Sequence, residues 1–225
     1  MIACSVVSPI TDRAITPDIE PLNTPPGSKI ELNLAVVNLS ESYVYERLVY
    51  TGWKTNGKLN QAYHRCHIGE SVTSFLKEVI PLYFKQASFY PSATDQKELM
   101  DRHDAVLQVR INSVDTSEIL ECGSEFKNTY KPCCGISNIE LSIELKDKMG
   151  EIIFETSERA SKEGVIYSSA KYCKNAKVYL NDMRKYDELL ADSCSTIFKT
   201  VLEQMVDSTD LQAYTRFVTT SKSQQ

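Results

Sequence analysis

The sequence lacks a long apolar run, and no window approaches the roughly 20 consecutive apolar residues that a membrane-spanning helix needs. It also lacks clustered basic residues. With a formal net charge of −5 it does not resemble proteins that bind nucleic acid, whose affinity depends on clustered Lys and Arg. Only eight glycines occur, and there is no phosphate loop, dinucleotide fingerprint, Gly-x-Ser-x-Gly elbow or His-Glu-x-x-His pair. We therefore predict that the protein is not an enzyme and takes no cofactor.

Cysteine, in contrast, is plentiful, and Cys4 is the most informative of the seven. It follows Ala3 and precedes a stretch, 5–27, that contains five of the eight prolines and shows no hydrophobic periodicity. Bacterial lipoproteins have a small residue before the cysteine that becomes the mature N-terminus and carries a diacylglycerol. We expect Cys4 to be acylated and the stretch behind it to be a linker. The alternative is a start methionine beside an ordinary cysteine.

The remaining six cysteines can pair completely, which an oxidising compartment such as the periplasm favours. The sequence does not choose among the possible connectivities, and a cytosolic chain with buried thiols is the alternative. Neighbouring cysteines cannot easily bond each other, so we expect at least one bridge to tie the cysteine-bearing segment 121–135 to the rest of the domain. The candidate disulfide cysteines are Cys66, Cys122, Cys133, Cys134, Cys173 and Cys194.

Two short clusters could suggest chemistry. His64-Arg65-Cys66-His67 offers two imidazoles and a thiol, but no second half with paired ligand spacing follows, so we predict no metal site and interpret the cluster as a loop with a disulfide cysteine. His103-Asp104 could orient a cysteine nucleophile, yet any cysteine could then be nominated. We interpret that pair as exposed residues before a strand, and we predict no catalytic residue.

Alternating apolar and polar residues predict the strands. Residues 30–39 begin as a half-buried strand and become fully apolar, 43–50 indicate a second strand, and 105–114 a third. The clearest pattern is 139–154, which predicts an antiparallel hairpin around a turn at 147–150.

Apolar residues three and four positions apart predict a helix over 69–87, in which Pro81 should cause a kink or a break. A short helix is expected at 95–102 and a long one at 183–206, followed by a frayed tail. The order of these elements favours an α+β fold, a mostly antiparallel sheet with two long helices packed on one face.

Three regions follow from this pattern. Residues 1–29 hold the anchor cysteine and the proline-rich linker, and 30–206 form a single α+β sandwich domain. Within that domain, 121–135 is an insertion, and 207–225 is a polar C-terminal tail.

The segment 167–185 interleaves tyrosines with lysines, a composition that suits an acidic partner or anionic groups. We call it the predicted binding segment. The alternative is a solvated loop. The candidate binding residues are Tyr167, Lys171, Tyr172, Lys174, Lys177 and Tyr179.

Four features of the sequence occur together in one known family: Ala3-Cys4, the helix opening with Glu70-Ser71, the 105–114 strand, and the hairpin with its Asp147 and Gly150 turn. They make the chain similar to YajG-type outer-membrane lipoproteins. The lipoprotein subunits that help to assemble lipopolysaccharide transport are similar more loosely. The cysteines and the 121–135 insertion depart from that pattern.

The resemblance implies a non-catalytic interaction or assembly module, lipid-anchored on the periplasmic face of the bacterial outer membrane, with an envelope protein as its partner. The alternative function is a periplasmic lipoprotein that binds a small ligand or lipid in the cleft between helices and sheet.

Overall fold

The computed structural model describes residues 11–13, 29–55, 58–119, 133–167 and 183–223, with side chains over 29–49, 63–117, 134–165 and 184–223. This part of the chain has eight strands in two sheets and four helices. The strands are β1 Thr11–Arg13, β2 Ile30–Asn38, β3 Tyr45–Thr55, β4 Lys58–Cys66, β5 Phe84–Tyr90, β6 Ala105–Ile119, β7 Cys133–Asp147 and β8 Ile152–Tyr167. The helices are α1 Ile68–Tyr83, α2 Gln96–Arg102, α3 Met183–Asp207 and α4 Thr209–Ser223.

The larger sheet has the strand order β5-β2-β6-β7-β8 and is mixed. β2 runs parallel to both β5 and β6, while β6, β7 and β8 are antiparallel neighbours. The predicted fold, a mostly antiparallel sheet with two long helices on one face, is therefore wrong. The sequence did contain a signal for parallel strands, the apolar run Leu34–Val37, which is buried on both faces of the sheet. Continuous apolar runs of this kind are typical of parallel strands.

The parallel pairing follows from where α1 ends. The predicted helix ran through Ala87, but the structure ends α1 at Tyr83, two residues after Pro81, and β5 starts at once. Phe84 donates its backbone N–H to the Ile80 carbonyl and continues in extended conformation. The helix thus serves as the crossover between two parallel strands. The break expected at Pro81 takes the form of the helix end at Tyr83, and a strand follows it instead of a second helical segment.

Helices cover the two faces of the larger sheet unequally. α1, α3 and α4 contribute to the main core, where the rings of Phe75 and Phe198 stack with centroids 4.6 Å apart. On the opposite face, called the outer face here, α2 buries Leu99 against Ala35, Val37 and Val106 at one end only. None of the described helices is long and apolar enough to cross a membrane.

The predicted polar tail is a helix. α4 places Leu211 and Val218 in the main core, and the Tyr214 hydroxyl donates to the Asp104 carbonyl at 2.6 Å. Lys222 Nζ pairs with Asp104 Oδ2, also at 2.6 Å. Leu211, Tyr214 and Val218 have the three- and four-residue spacing of a helix in the sequence. The pattern extends over few residues and is surrounded by polar ones, so it was not recognised as a helix.

The predicted hairpin around 147–150 is confirmed, with β7 and β8 paired in antiparallel register. Asp147 Oδ1 accepts from the backbone N–H groups of Met149 and Glu151, both at 2.8 Å, and Gly150 takes a positive φ of 83°. Both strands are longer than predicted. β7 already begins at Cys133, inside the predicted insertion, and 120–132 lie outside the described residues.

The smaller sheet has the order β1-β4-β3. β3 and β4 form an antiparallel hairpin, of which only the beginning of β3 was predicted. β1 pairs parallel to β4 and interrupts the stretch predicted to be a continuous linker. The Tyr45 hydroxyl and Arg47 both bond to Thr116 on β6, which attaches the smaller sheet to the larger one.

Candidate functional site

A polar recess lies on the part of the outer face that α2 leaves uncovered. Alternation along β6 directs Leu107, Val109 and Ile111 into the main core and the intervening polar residues to the outer face. β7 pairs alongside and adds two further polar residues. The recess has a volume of about 260 Å³ and is lined by Leu39, Gln108, Arg110, Asn112, Ser142 and Glu144.

Hydrogen bonds fix the walls of this recess. Asn112 Nδ2 donates to Ser142 Oγ at 2.6 Å, and Lys146 Nζ contacts Gln108 Oε1 at 3.3 Å and Glu144 Oε2 at 2.7 Å. Lys146 therefore compensates the charge of Glu144, whereas the exposed Arg110 forms no ion pair with a described side chain. The arrangement offers amide, hydroxyl and guanidinium groups to a polar partner.

Gln108 is unusual for a residue on an uncovered sheet face, because only 4 % of it is exposed. Its Nε2 has no hydrogen-bond partner among the described residues. An unpaired buried amide donor costs about 1–3 kcal/mol, so a water or ligand oxygen that reached it would be stabilising.

A second cavity, a groove of about 640 Å³, lies where the start of β2 meets α3 and α4. Ile30, Val206 and Leu211 provide its apolar surface. Polar side chains surround them, and one of these, Glu31, pairs with Lys85 at 2.9 Å. This groove is the described cavity nearest to the cleft that we predicted between helices and sheet.

The His64–His67 cluster was predicted to be a loop, which is wrong. Its first three residues end β4, and His67 is the residue before α1. Alternation turns His64 and Cys66 into the interior, where His64 Nε2 contacts Asp187 Oδ1 on α3 at 2.9 Å. His67 Nδ1 instead lies 3.4 Å from Glu70 Oε1. In the part of the chain that the structure describes, no group of three potential ligands could hold a metal ion.

Cys66 and Cys194 are buried thiols outside any disulfide, so the complete pairing of six cysteines is not what the structure has. Burial raises the pKa of Cys194 to about 12, which leaves it protonated and unreactive at neutral pH. Cys134 is disulfide-bonded, and its partner lies outside the described side chains. Only the backbone of Cys133 is described, in β7; Cys4, Cys122 and Cys173 lie outside the described residues.

His103 and Asp104 are not the exposed pair that we predicted. His103 is 8 % exposed, and its Nδ1 lies 3.0 Å from Asn33 Oδ1 while its Nε2 lies 2.9 Å from the Tyr90 hydroxyl. A neutral imidazole that donates from Nδ1 and accepts at Nε2 satisfies both contacts. Burial lowers the pKa of His103, which favours this neutral form. Through its two contacts the residue links β2 and β5 to the C-terminal end of α2.

The predicted binding segment falls almost entirely outside the described residues. Tyr167 ends β8, opposite Cys133, and only its backbone is described. Lys171, Tyr172, Lys174, Lys177 and Tyr179 are not described, so their role stays a prediction. Nearby, Arg184 and Lys185 both pair with Glu188, at 3.1 and 2.7 Å, and Glu188 has a lowered pKa chiefly because Lys185 bonds to it.

No protein-family model matches the sequence, and no curated protein matches it. Solved structures do. A neuraminyllactose-binding hemagglutinin homolog from Helicobacter pylori aligns with a TM-score of 0.50 at 10 % identity, over 91 % of this chain and 99 % of that one. The chain shares the fold of that protein.

Two bacterial lipoproteins are also among the similar structures. The minor lipoprotein from Acinetobacter baumannii aligns with a TM-score of 0.36 at 10 % identity, over 78 % of this chain and 91 % of that one. Rare lipoprotein B from Shewanella oneidensis aligns with a TM-score of 0.37 at 11 % identity, over 77 % and 93 %. At these scores the alignments carry no argument about function, and nothing in them singles out the YajG type.

Sequence reasoning missed the recess. The polar residues Gln108, Arg110 and Asn112 are visible as the alternate positions of the predicted 105–114 strand, but the alternation alone does not indicate a binding site. Only the pairing of β6 with β7, and the small extent of α2, show that the face forms a recess with a buried amide.

Proposed function

We propose that the protein is a non-catalytic binding module of the bacterial cell envelope, anchored through an acylated Cys4 on the periplasmic face of the outer membrane. The observation that carries the binding role is the polar recess on the outer face of the larger sheet. Two adjacent strands hold its side chains in place, which is how rigid scaffolds present polar groups to a partner. Fold alone does not give function, and the shared fold is consistent with many tasks.

The recess favours a partner that presents polar or acidic groups. Arg110 is a cation without a described counter-charge, and the nearby amides and hydroxyl donate and accept hydrogen bonds. A guanidinium pairs with a carboxylate in a bidentate geometry that adds specificity as well as energy. The Helicobacter pylori protein is named after neuraminyllactose binding, and neuraminic acid carries a carboxylate, so an acidic sugar is one ligand to test beside a protein partner.

Photo-crosslinking in the native host tests the recess. Benzoylphenylalanine at Ser142 should give a discrete adduct, whereas the same group at exposed Lys148, beyond the recess, should not. Adding Arg110→Glu should reduce the Ser142 adduct at least about fivefold, because the loss of a hydrogen bond to a charged group costs at least about 1 kcal/mol. A parallel titration with sialyllactose reports on the sugar. Equal adducts from both positions and no response to sialyllactose would remove the recess as the binding site.

A small-ligand or lipid-binding role is the second candidate, and the groove beside α4 favours it. Its volume of about 640 Å³ and its apolar surface from Ile30, Val206 and Leu211 suit an acyl chain or a small apolar ligand. A fluorescent fatty acid should bind the wild type, and Thr215→Trp, at a half-buried position that lines the groove, should block it while Phe217→Trp, an exposed control on α4, should not. Equal binding by all three proteins would place the probe elsewhere.

A further inference from the structure

Residues that precede the domain in sequence are attached to the smaller sheet. β1 pairs parallel to β4, with Thr11 opposite His64 and Arg13 opposite Cys66. Cys4 precedes Thr11 by seven positions. Seven residues span at most about 25 Å even when fully extended. An acyl chain on Cys4 would therefore hold the smaller sheet close to the lipid surface, in contrast to the long linker that the prolines suggested.

One face of the smaller sheet has no cover among the described residues. Alternation along β3 and β4 buries Val49 and His64 completely and turns their neighbours outward. On the outward side Leu48 and Tyr63 are directly opposite each other in the register, and 46 % and 50 % of their surfaces are exposed. They form a cross-strand pair of an aliphatic and an aromatic side chain.

The charges beside this pair are already compensated. Arg65 Nε and Glu46 Oε1, the next cross-strand pair on the same side, are 2.6 Å apart. The outward face therefore carries little net charge near Leu48 and Tyr63. An apolar residue next to a tyrosine suits the headgroup level of a bilayer, where the ring is buried and its hydroxyl stays hydrated.

We infer that this outward face of the smaller sheet, with Leu48 and Tyr63 at its centre, rests on the lipid surface to which Cys4 is anchored. The inference depends on the anchoring part of the proposed function. The contacts of Tyr45 and Arg47 with Thr116, and of His64 with Asp187, attach the smaller sheet to the rest of the domain. Contact with lipid at this face thus fixes the orientation of the whole domain at the membrane.

Quenching by brominated lipids tests this orientation. Trp53 is the single tryptophan, so Trp53→Phe gives a background for one reporter at a time. Tyr63→Trp reports from the proposed contact face, and Met149→Trp reports from the exposed β7–β8 turn as the control. Each protein carries Cys4→Ser with a hexahistidine directly before it and is tethered to phosphatidylcholine vesicles that contain nickel-chelating lipid, with or without dibrominated acyl chains.

We expect quenching at least about twofold greater for Tyr63→Trp than for Met149→Trp, because tryptophan at a lipid contact enters the interface. Adding Leu48→Asp should remove the difference while leaving the melting temperature of the free protein unchanged. Equal quenching of the two reporters would overturn the inference. The mass of protein from native membranes tests acylation of Cys4 separately, so a missing anchor and a wrong orientation give different results.

Discussion

Gly69, the second residue of α1, lies directly against the backbone of Ser40 and Glu41. A Cβ at this position would lie 2.5 Å from the Glu41 carbonyl oxygen and closer still to that of Ser40. The same contact is held by hydrogen bonds, from Gly69 N–H to the Tyr43 carbonyl at 3.0 Å and from Asn38 Nδ2 to the Gly69 carbonyl at 2.8 Å. Both obstructing atoms belong to the backbone, so neither can move by changing a rotamer.

We therefore predict that Gly69→Ala lowers the free energy of unfolding by about 3 kcal/mol, the upper part of the range for overpacking. Ser74→Ala, at an exposed position of the same helix, should change it by less than about 0.5 kcal/mol. Urea denaturation measures both. Equal stability of the two variants would show that the 40–41 turn can retreat from the helix.

His103 gives the protein a pH dependence whose sign follows from its surroundings. Burial, with a smaller contribution from Arg102, lowers its pKa below the ordinary 6.5, and the neighbouring Asp104 opposes this. Below pH 6.5 the unfolded chain binds a proton that the folded protein resists. Stability is then lost as the pH falls from 6.5 to the lower folded-state pKa.

We expect the melting temperature to fall between pH 7 and pH 5, and less so in His103→Gln, which keeps hydrogen-bonding groups but does not titrate in this range. Thermal denaturation by circular dichroism at several pH values measures the difference between the two curves. Parallel curves for the wild type and the variant would assign the pH dependence to other groups.

At the scale of elements, the sequence identified those whose patterns were long and of one period. The β7–β8 hairpin was predicted because polar and apolar residues alternate over eight positions and Gly150 follows Asp147. α3 was predicted from a long apolar stripe. In contrast, Tyr83, Phe84 and Ala87 fit a helical stripe as well as a strand, and α1 therefore appeared to continue through β5.

The parallel pairing of β2 and the recess could not be predicted in the same way. Which strands become neighbours depends on contacts between residues far apart in sequence, such as Val36 with both Phe89 and Leu107. The recess then depends on which part of the outer face α2 covers, and the sequence of α2 alone does not show this.

α4 leads to a prediction at this scale. Because Leu211 and Val218 are buried in the main core and Tyr214 bonds to the Asp104 carbonyl, α4 is part of the domain and not a tail. Leu211→Ala should cost about 2–5 kcal/mol, as large-to-small changes in cores do. Phe217→Ala, at a residue 62 % exposed, should cost little. Thermal denaturation of both variants distinguishes a core helix from a loosely attached one.

At the scale of the whole molecule, the two sheets are joined through Thr116 on β6. Its hydroxyl lies 2.6 Å from the Tyr45 hydroxyl and also accepts a hydrogen bond from Arg47, whose guanidinium lies 5.0 Å from the centre of the Tyr186 ring. Thr116 is 8 % exposed, and burial raises the pKa of Tyr45, so this phenol stays protonated at neutral pH. Thr116→Val keeps the shape of the residue and removes the oxygen that both partners share.

We predict that Thr116→Val lowers the free energy of unfolding by about 1–3 kcal/mol, since it removes the hydroxyl that bonds to the Tyr45 hydroxyl and accepts from Arg47, and leaves Arg47 only its longer contact with the Thr116 carbonyl. The effect should be local as well. Amide hydrogen exchange in β3 and β4 should become faster than in β6 and β7, because the smaller sheet would open without the larger one. Thr156→Val on β8, whose hydroxyl makes only a 3.5 Å contact with Glu158, is the matched control. Exchange that accelerates evenly in both sheets would mean that they unfold as one unit and that Thr116 stabilises the whole domain.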